Sequence, residues 1–98
     1  MNIKITSVHF DADKKLKDFI EAKIEKLMHF SDDIIKAEVF LRLSNNQTAS
    51  NKIVEIRLYV PGNELFAKKE SKSFEESTDS VYEALYRQIV KHKEKKRN

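Results

Sequence analysis

The chain has 98 residues, 40% of them hydrophobic and 36% charged, with one glycine, one proline and no cysteine. This length suits one domain spanning residues 1–98 around a single modest core, and the balance of apolar and charged residues suits a folded chain. The composition excludes a disulfide framework, thiolate metal sites and a glycine-rich phosphate loop, and no run approaches the ~18 apolar residues of a membrane span.

Ile3 and Ile5 alternate with Lys4 and Thr6, which predicts a strand over residues 1–8. The same stretch lacks the apolar run and cleavage site of a signal peptide, so a soluble cytoplasmic protein is expected. Asp11 and Asp13 offer side-chain oxygens to the free N–H groups of a helix start. Residues 13–30 have helical spacing: Leu16, Ile20, Ile24 and Leu27 form one stripe, flanked by Phe19 and Phe30. Lys23 sits beside this stripe and Lys26 a little further round. Either the two lysines lay their stems along the core edge, or they line a groove beside the helix.

Ser31-Asp32-Asp33 breaks the helix, and residues 34–43 alternate as a strand. Ile35, Ala37, Val39, Leu41 and Leu43 are expected on its core face. The polar stretch 44–51 suits a hairpin loop. Residues 53–60 form the next strand, with Val54, Ile56, Leu58 and Val60 inward. Pro61-Gly62 predicts a tight turn, from which residues 64–71 return as a fourth strand with Leu65 and Ala67 inward. Residues 74–98 form one long helix with Phe74, Thr78, Val81, Leu85 and Ile89 on its core line and Tyr82 at the shoulder. Apolar character stops at Ile89, so the helix should overhang the sheet by about two turns. The reading is α+β with the order β-α-β-β-β-α. A four-stranded mixed sheet carries both helices on one face, a two-layer domain like that of double-stranded-RNA-binding domains.

The charge is concentrated at one end. From Arg87 onward there are six basic residues and one acid, a net +5, whereas the whole chain is +3, leaving −2 for residues 1–86. Arg87, Lys91 and Lys95 recur at i, i+4 and i+8, and Lys93 and Arg97 make a second stripe. Cations complement a helix C-terminus, so a solvated helix end is one reading. A clustered repulsion relieved by phosphates is the other. Catalytic chemistry is not apparent: His9, His29 and His92 lack the close spacing of helical zinc sites, Asp32-Asp33 reads as a structural break, and no serine sits in a nucleophile elbow. No enzyme activity, metal, cofactor or small-molecule substrate is expected.

Three stretches carry a family resemblance: LKDFIEAKIEKL (16–27), VPGNELFA (60–67) and LYRQIVKHKEK (85–95). Together and in order they resemble the ribosome hibernation-promoting factors, the ribosome-associated inhibitor A group. The resemblance implies the fold above and binding to 16S rRNA of the small ribosomal subunit, in the channel used by messenger RNA and by A- and P-site transfer RNA. The family's rRNA-contacting positions match Lys23 and Lys26 on the first helix. On the second they match Arg87 and Lys91 and continue into Lys93 and Lys95. Ala84 and Glu75 stand where the family often has lysine and tyrosine. Longer members add a dimerising domain, so the chain resembles the short forms and is expected to be monomeric off the ribosome.

The resulting expectation is a translation inhibitor in which Lys23, Lys26, Arg87, Lys91, Lys93, Lys95 and Lys96 clamp rRNA phosphates along the groove between the helices. The alternative is single-stranded RNA binding on the open sheet face through Phe40, Tyr59 and Phe66, with Arg42 and Arg57 beside them. A third reading is a protein-interaction module without nucleic acid.

Overall fold

Alternating and helical apolar periods translate into six elements: β1 (Ile3–Ser7), α1 (Lys14–His29), β2 (Lys36–Leu43), β3 (Lys52–Val60), β4 (Asn63–Ser71) and α2 (Phe74–Arg97). The computed structural model describes the backbone of residues 2–45 and 48–97 and the side chains of residues 2–45 and 48–95. Met1, Asn46, Gln47 and Asn98, at the ends of the expected first strand and last helix and in the expected loop, lie outside the described residues.

The sheet order is β1-β2-β3-β4, with β1 parallel to β2 and the other pairs antiparallel. Register pairs inward residues with inward residues: Ile5 lies opposite Val39, Val39 opposite Ile56, and Ile56 opposite Ala67. This apolar face packs against Leu16, Ile20, Ile24 and Leu27 of α1 and Val81, Leu85 and Ile89 of α2. The two-layer expectation holds. Two residues need correction: Leu43, at the end of β2, is 50% exposed, and Ile35, just before β2, is 59% exposed while its neighbour Ile34 packs against the core instead. Within β2 the buried inward residues are Ala37, Val39 and Leu41.

Local chemistry fixes the ends of the elements. Asp13 caps α1, its Oδ1 accepting the Leu16 N–H at 2.9 Å. Ser73 does the same for α2, accepting the Glu76 N–H at 3.1 Å. Gly62 has φ +74°, the left-handed conformation that the Pro61-Gly62 turn requires.

The two helices run in the same direction, because their contacts advance together. Phe10, just ahead of α1, stacks on Phe74 at 5.2 Å between centroids; Lys23 meets Asp79; Phe30 meets Tyr86. The overhang of α2 is shorter than expected. His92, one turn beyond Ile89, is half-buried, with Nε2 3.3 Å from Asp33 Oδ2 in the α1–β2 connection. Free helix therefore begins at Lys93, and the five residues to Arg97 rise about 7.5 Å.

Candidate nucleic-acid interface

The long helix positions its cations by its rotation about its own axis. With Val81, Leu85 and Ile89 fully buried, residues on one flank face β4 and residues on the other face α1. Gln88, Lys91 and Lys95, at i, i+3 and i+7, form the first flank. With His92 they line a recess against Asn63, Glu64 and Leu65 at the start of β4. Tyr86, Val90 and Lys93, at i, i+4 and i+7, form the second, where the Tyr86 ring meets Phe30 of α1 edge-on at 4.9 Å. Arg87 lies on the solvent side between them.

The expected clamp along the inter-helix groove is thus divided. Lys26 and Lys93 border that groove, whereas Lys91 and Lys95 face the β4 recess, because the burial of Leu85 and Ile89 turns them away from α1. Lys26, Arg87, Lys91, Lys93 and Lys95 are exposed, and among the described residues none of them makes an ion pair. The Lys96 side chain lies outside the described residues.

Lys23 differs from the others. Its ammonium lies 3.0 Å from Asp79 Oδ1 and over the rings of Phe19 and Tyr82, 5.5 and 5.3 Å from their centroids. Core edge and groove each hold part of this residue: the stem follows the core edge, and the head lies in the groove between the helices, held there by α2.

On the open sheet face both arginines are engaged within the domain. Arg42 pairs with Glu55, and Arg57 lies 3.7 Å from Glu64 and over the Phe66 ring. The Tyr59 hydroxyl donates to Glu38 Oε1 at 2.5 Å, which holds the Glu38 carboxyl below the usual carboxylate range and the Tyr59 phenol above its own. Lys36 covers the other side of the Tyr59 ring at 4.6 Å. Two arginines and a tyrosine of the alternative RNA site are therefore engaged within the domain.

Asp79, Tyr86 and Gln88 are neighbours of the candidate residues that the sequence pattern does not single out. Gln88 donates from Nε2 to the Phe66 carbonyl at 2.7 Å and accepts the Phe66 N–H at 3.3 Å, taking up an outward-facing backbone pair of the edge strand β4. Its only signal is a long amide beside the core line.

A family model described as sigma 54 modulation protein / S30EA ribosomal protein matches residues 3–97. The chain belongs to that family. The ribosome hibernation promoting factors of Klebsiella oxytoca and Escherichia coli K12 are each 30% identical to this S30EA family member over 95 residues, covering 97% of the chain and 96% of the relative. The factor of Pseudomonas putida is 28% identical over 98 residues, covering all of the chain and 92% of the relative. Two solved structures share the fold. A ribosomal subunit interface protein from Coxiella burnetii superposes with a TM-score of 0.84 at 24% identity, over 95% of this chain and 98% of that one. The Thermus thermophilus Protein Y N-terminal domain superposes with 0.80 at 22%, over 94% and 99%. Of the two positions singled out by the resemblance, Ala84 packs half-buried against the core and Glu75 is an exposed acid in the first turn of α2. There it complements the positive end of the helix dipole.

Proposed function

We propose that this chain is a ribosome hibernation factor that binds 16S rRNA of the small subunit, in the channel for messenger and transfer RNA, and stops translation by occluding A- and P-site ligands. The observation that carries the reading is the set of exposed cations that make no ion pair among the described residues, at the end of α2 and on the adjacent rim of α1: Lys26, Arg87, Lys91, Lys93 and Lys95. Such a cluster favours a polyanion, since each phosphate neutralised releases counterions. Membership of the S30EA family and the names of the relatives favour the ribosome as the source of that polyanion. The mechanism is steric: electrostatics supply affinity and on-rate, and the body of the domain excludes other ligands. No catalysis is assigned; the protein acts in the cytoplasm and is a monomer off the ribosome.

Co-sedimentation with ribosomes tests this. The Lys91→Glu/Lys95→Glu variant should leave the ribosome fraction at physiological salt, whereas wild type stays in it. Equal co-sedimentation of the two would remove the basis of the proposal. Binding on the sheet face has less support, because Arg42 and Arg57 are engaged by Glu55 and Glu64.

A further inference from the structure

Phe30 closes the C-terminus of α1, and Tyr86 stands midway along α2. Their rings touch, yet they remain 40% and 39% exposed, and Val90, one turn beyond Tyr86, is 38% exposed. None of the three fills the core, whose line on α2 runs through Val81, Leu85 and Ile89. Single exposed apolar side chains are ordinary, but three in one patch at the mouth of a groove suggest a contact surface.

The surroundings select the occupant. Lys26 lies one turn before Phe30 on α1 and Lys93 one turn beyond Val90 on α2, both exposed and without ion pairs among the described residues. Of the acids on this side, Asp79 is held by Lys23, Glu83 sits a turn before Tyr86, away from the Lys93 end, and Glu94, one turn beyond Val90, is the one carboxylate beside Lys93 and makes no ion pair with it among the described residues. An apolar protein face would bring two unpaired ammonium groups to its rim. A nucleobase instead offers a flat π-face to the rings, and its own strand brings phosphates to the lysines.

We propose that Phe30 and Tyr86 form a stacking seat for one unpaired nucleobase of an RNA strand whose phosphates are held by Lys26 and Lys93. The inference rests on the RNA-binding reading above and adds a base contact to it. It also places the aromatic contact between the helices rather than on the sheet, where Tyr59 is tied to Glu38 and Phe66 lies under Arg57.

Two probes and three variants test it. The probes are purified small ribosomal subunits, and a short single-stranded RNA compared with a sugar-phosphate backbone of equal length without bases. Tyr86→Leu keeps an apolar helix-forming residue and removes the ring; Tyr86→Phe keeps the ring; Lys91→Glu/Lys95→Glu tests the cations alone. Tyr86→Leu should bind subunits about tenfold more weakly with an unchanged salt slope, and Tyr86→Phe should match wild type within about twofold. Wild type should prefer the base-bearing strand by about tenfold, and Tyr86→Leu should lose that preference. Equal binding of both strands by wild type overturns the stacking seat, as does undiminished subunit binding by Tyr86→Leu. A Tyr86→Leu defect on subunits without any base preference overturns it in favour of a protein contact. Indifference of subunit binding to Lys91→Glu/Lys95→Glu marks failure of the RNA reading itself, a separate result.

Discussion

At the scale of single residues, Lys23 shows how a plausible RNA contact becomes a structural staple. An ion pair in which Lys23 and Asp79 are 27% and 56% exposed contributes about 0–1 kcal/mol, and solvent-accessible cation–π contacts add about 0.5–1 kcal/mol. Handing the ammonium to a phosphate would give these up. Lys23→Met, which keeps much of the stem, should therefore lower stability in urea by about 1 kcal/mol and weaken ribosome binding less than Lys26→Met does. Equally weakened binding in both variants, at unchanged stability, would return Lys23 to the RNA-contacting set. On the other sheet face, the bond from Tyr59 to Glu38 makes a pH prediction. The depressed Glu38 carboxyl contributes stability that is present above its unfolded range and lost as pH falls through its lower folded value. The raised Tyr59 phenol contributes stability that is present below its unfolded value and lost as pH rises through its higher folded one. The melting-temperature gap between wild type and Tyr59→Phe should be widest near neutrality, begin to narrow below about pH 4 and above about pH 10, and close only beyond the shifted folded values. A gap independent of pH would show that the hydroxyl bond is not its source.

At the scale of elements, the edge strand is where the fold depends on one side chain. Outward N–H and C=O groups on an edge strand invite pairing with other chains, and Gln88 closes those of Phe66 with its own amide. Gln88→Leu should cost about 1 kcal/mol in urea denaturation and increase concentration-dependent self-association in sedimentation. A variant as stable and as monomeric as wild type would show that water serves Phe66 equally well. Contacts of this kind also mark what local sequence patterns convey. Period-two alternation is enough to place the inward face of β2, β3 and β4, and the 3.6-residue stripe places both helices and their buried residues. Alternation names a side chain's face but neither how far the covering layer reaches nor where the strand begins, which is why Leu43 is exposed and Ile34 packs on the core in place of Ile35. Spacing locates two stripes of cations on α2 but not what each faces, because that depends on helix rotation set by Leu85 and Ile89 packing on distant strands. Gln88 with Phe66 and His92 with Asp33 are separated by 22 and 59 residues, and no local pattern announces either pair.

At the scale of the whole molecule, the domain is an elongated body, 46 × 24 × 19 Å, carrying a helix of 24 residues that extends about 36 Å. Its net +3 is the sum of a mildly acidic body and a strongly basic helix end. Because the cations leave α2 on opposite flanks, a single RNA strand in the inter-helix groove cannot neutralise them all. Lys91 and Lys95 look across the start of β4, while Lys93 looks towards Lys26 and α1. Under the proposed RNA-binding reading, this arrangement calls for phosphate backbone on both sides of the helix end. Removing one lysine that neutralises a phosphate should lower the slope of log affinity against log salt by about one unit. Lys91→Gln/Lys95→Gln should therefore reduce the slope for ribosome binding by about two, and Lys26→Gln/Lys93→Gln by a similar amount. The quadruple variant should show the sum, because the flanks share no partners. If Lys91→Gln/Lys95→Gln removed the whole slope and Lys26→Gln/Lys93→Gln left it untouched, only the β4 flank would touch RNA, and α2 would lie along a single wall of its site rather than between two.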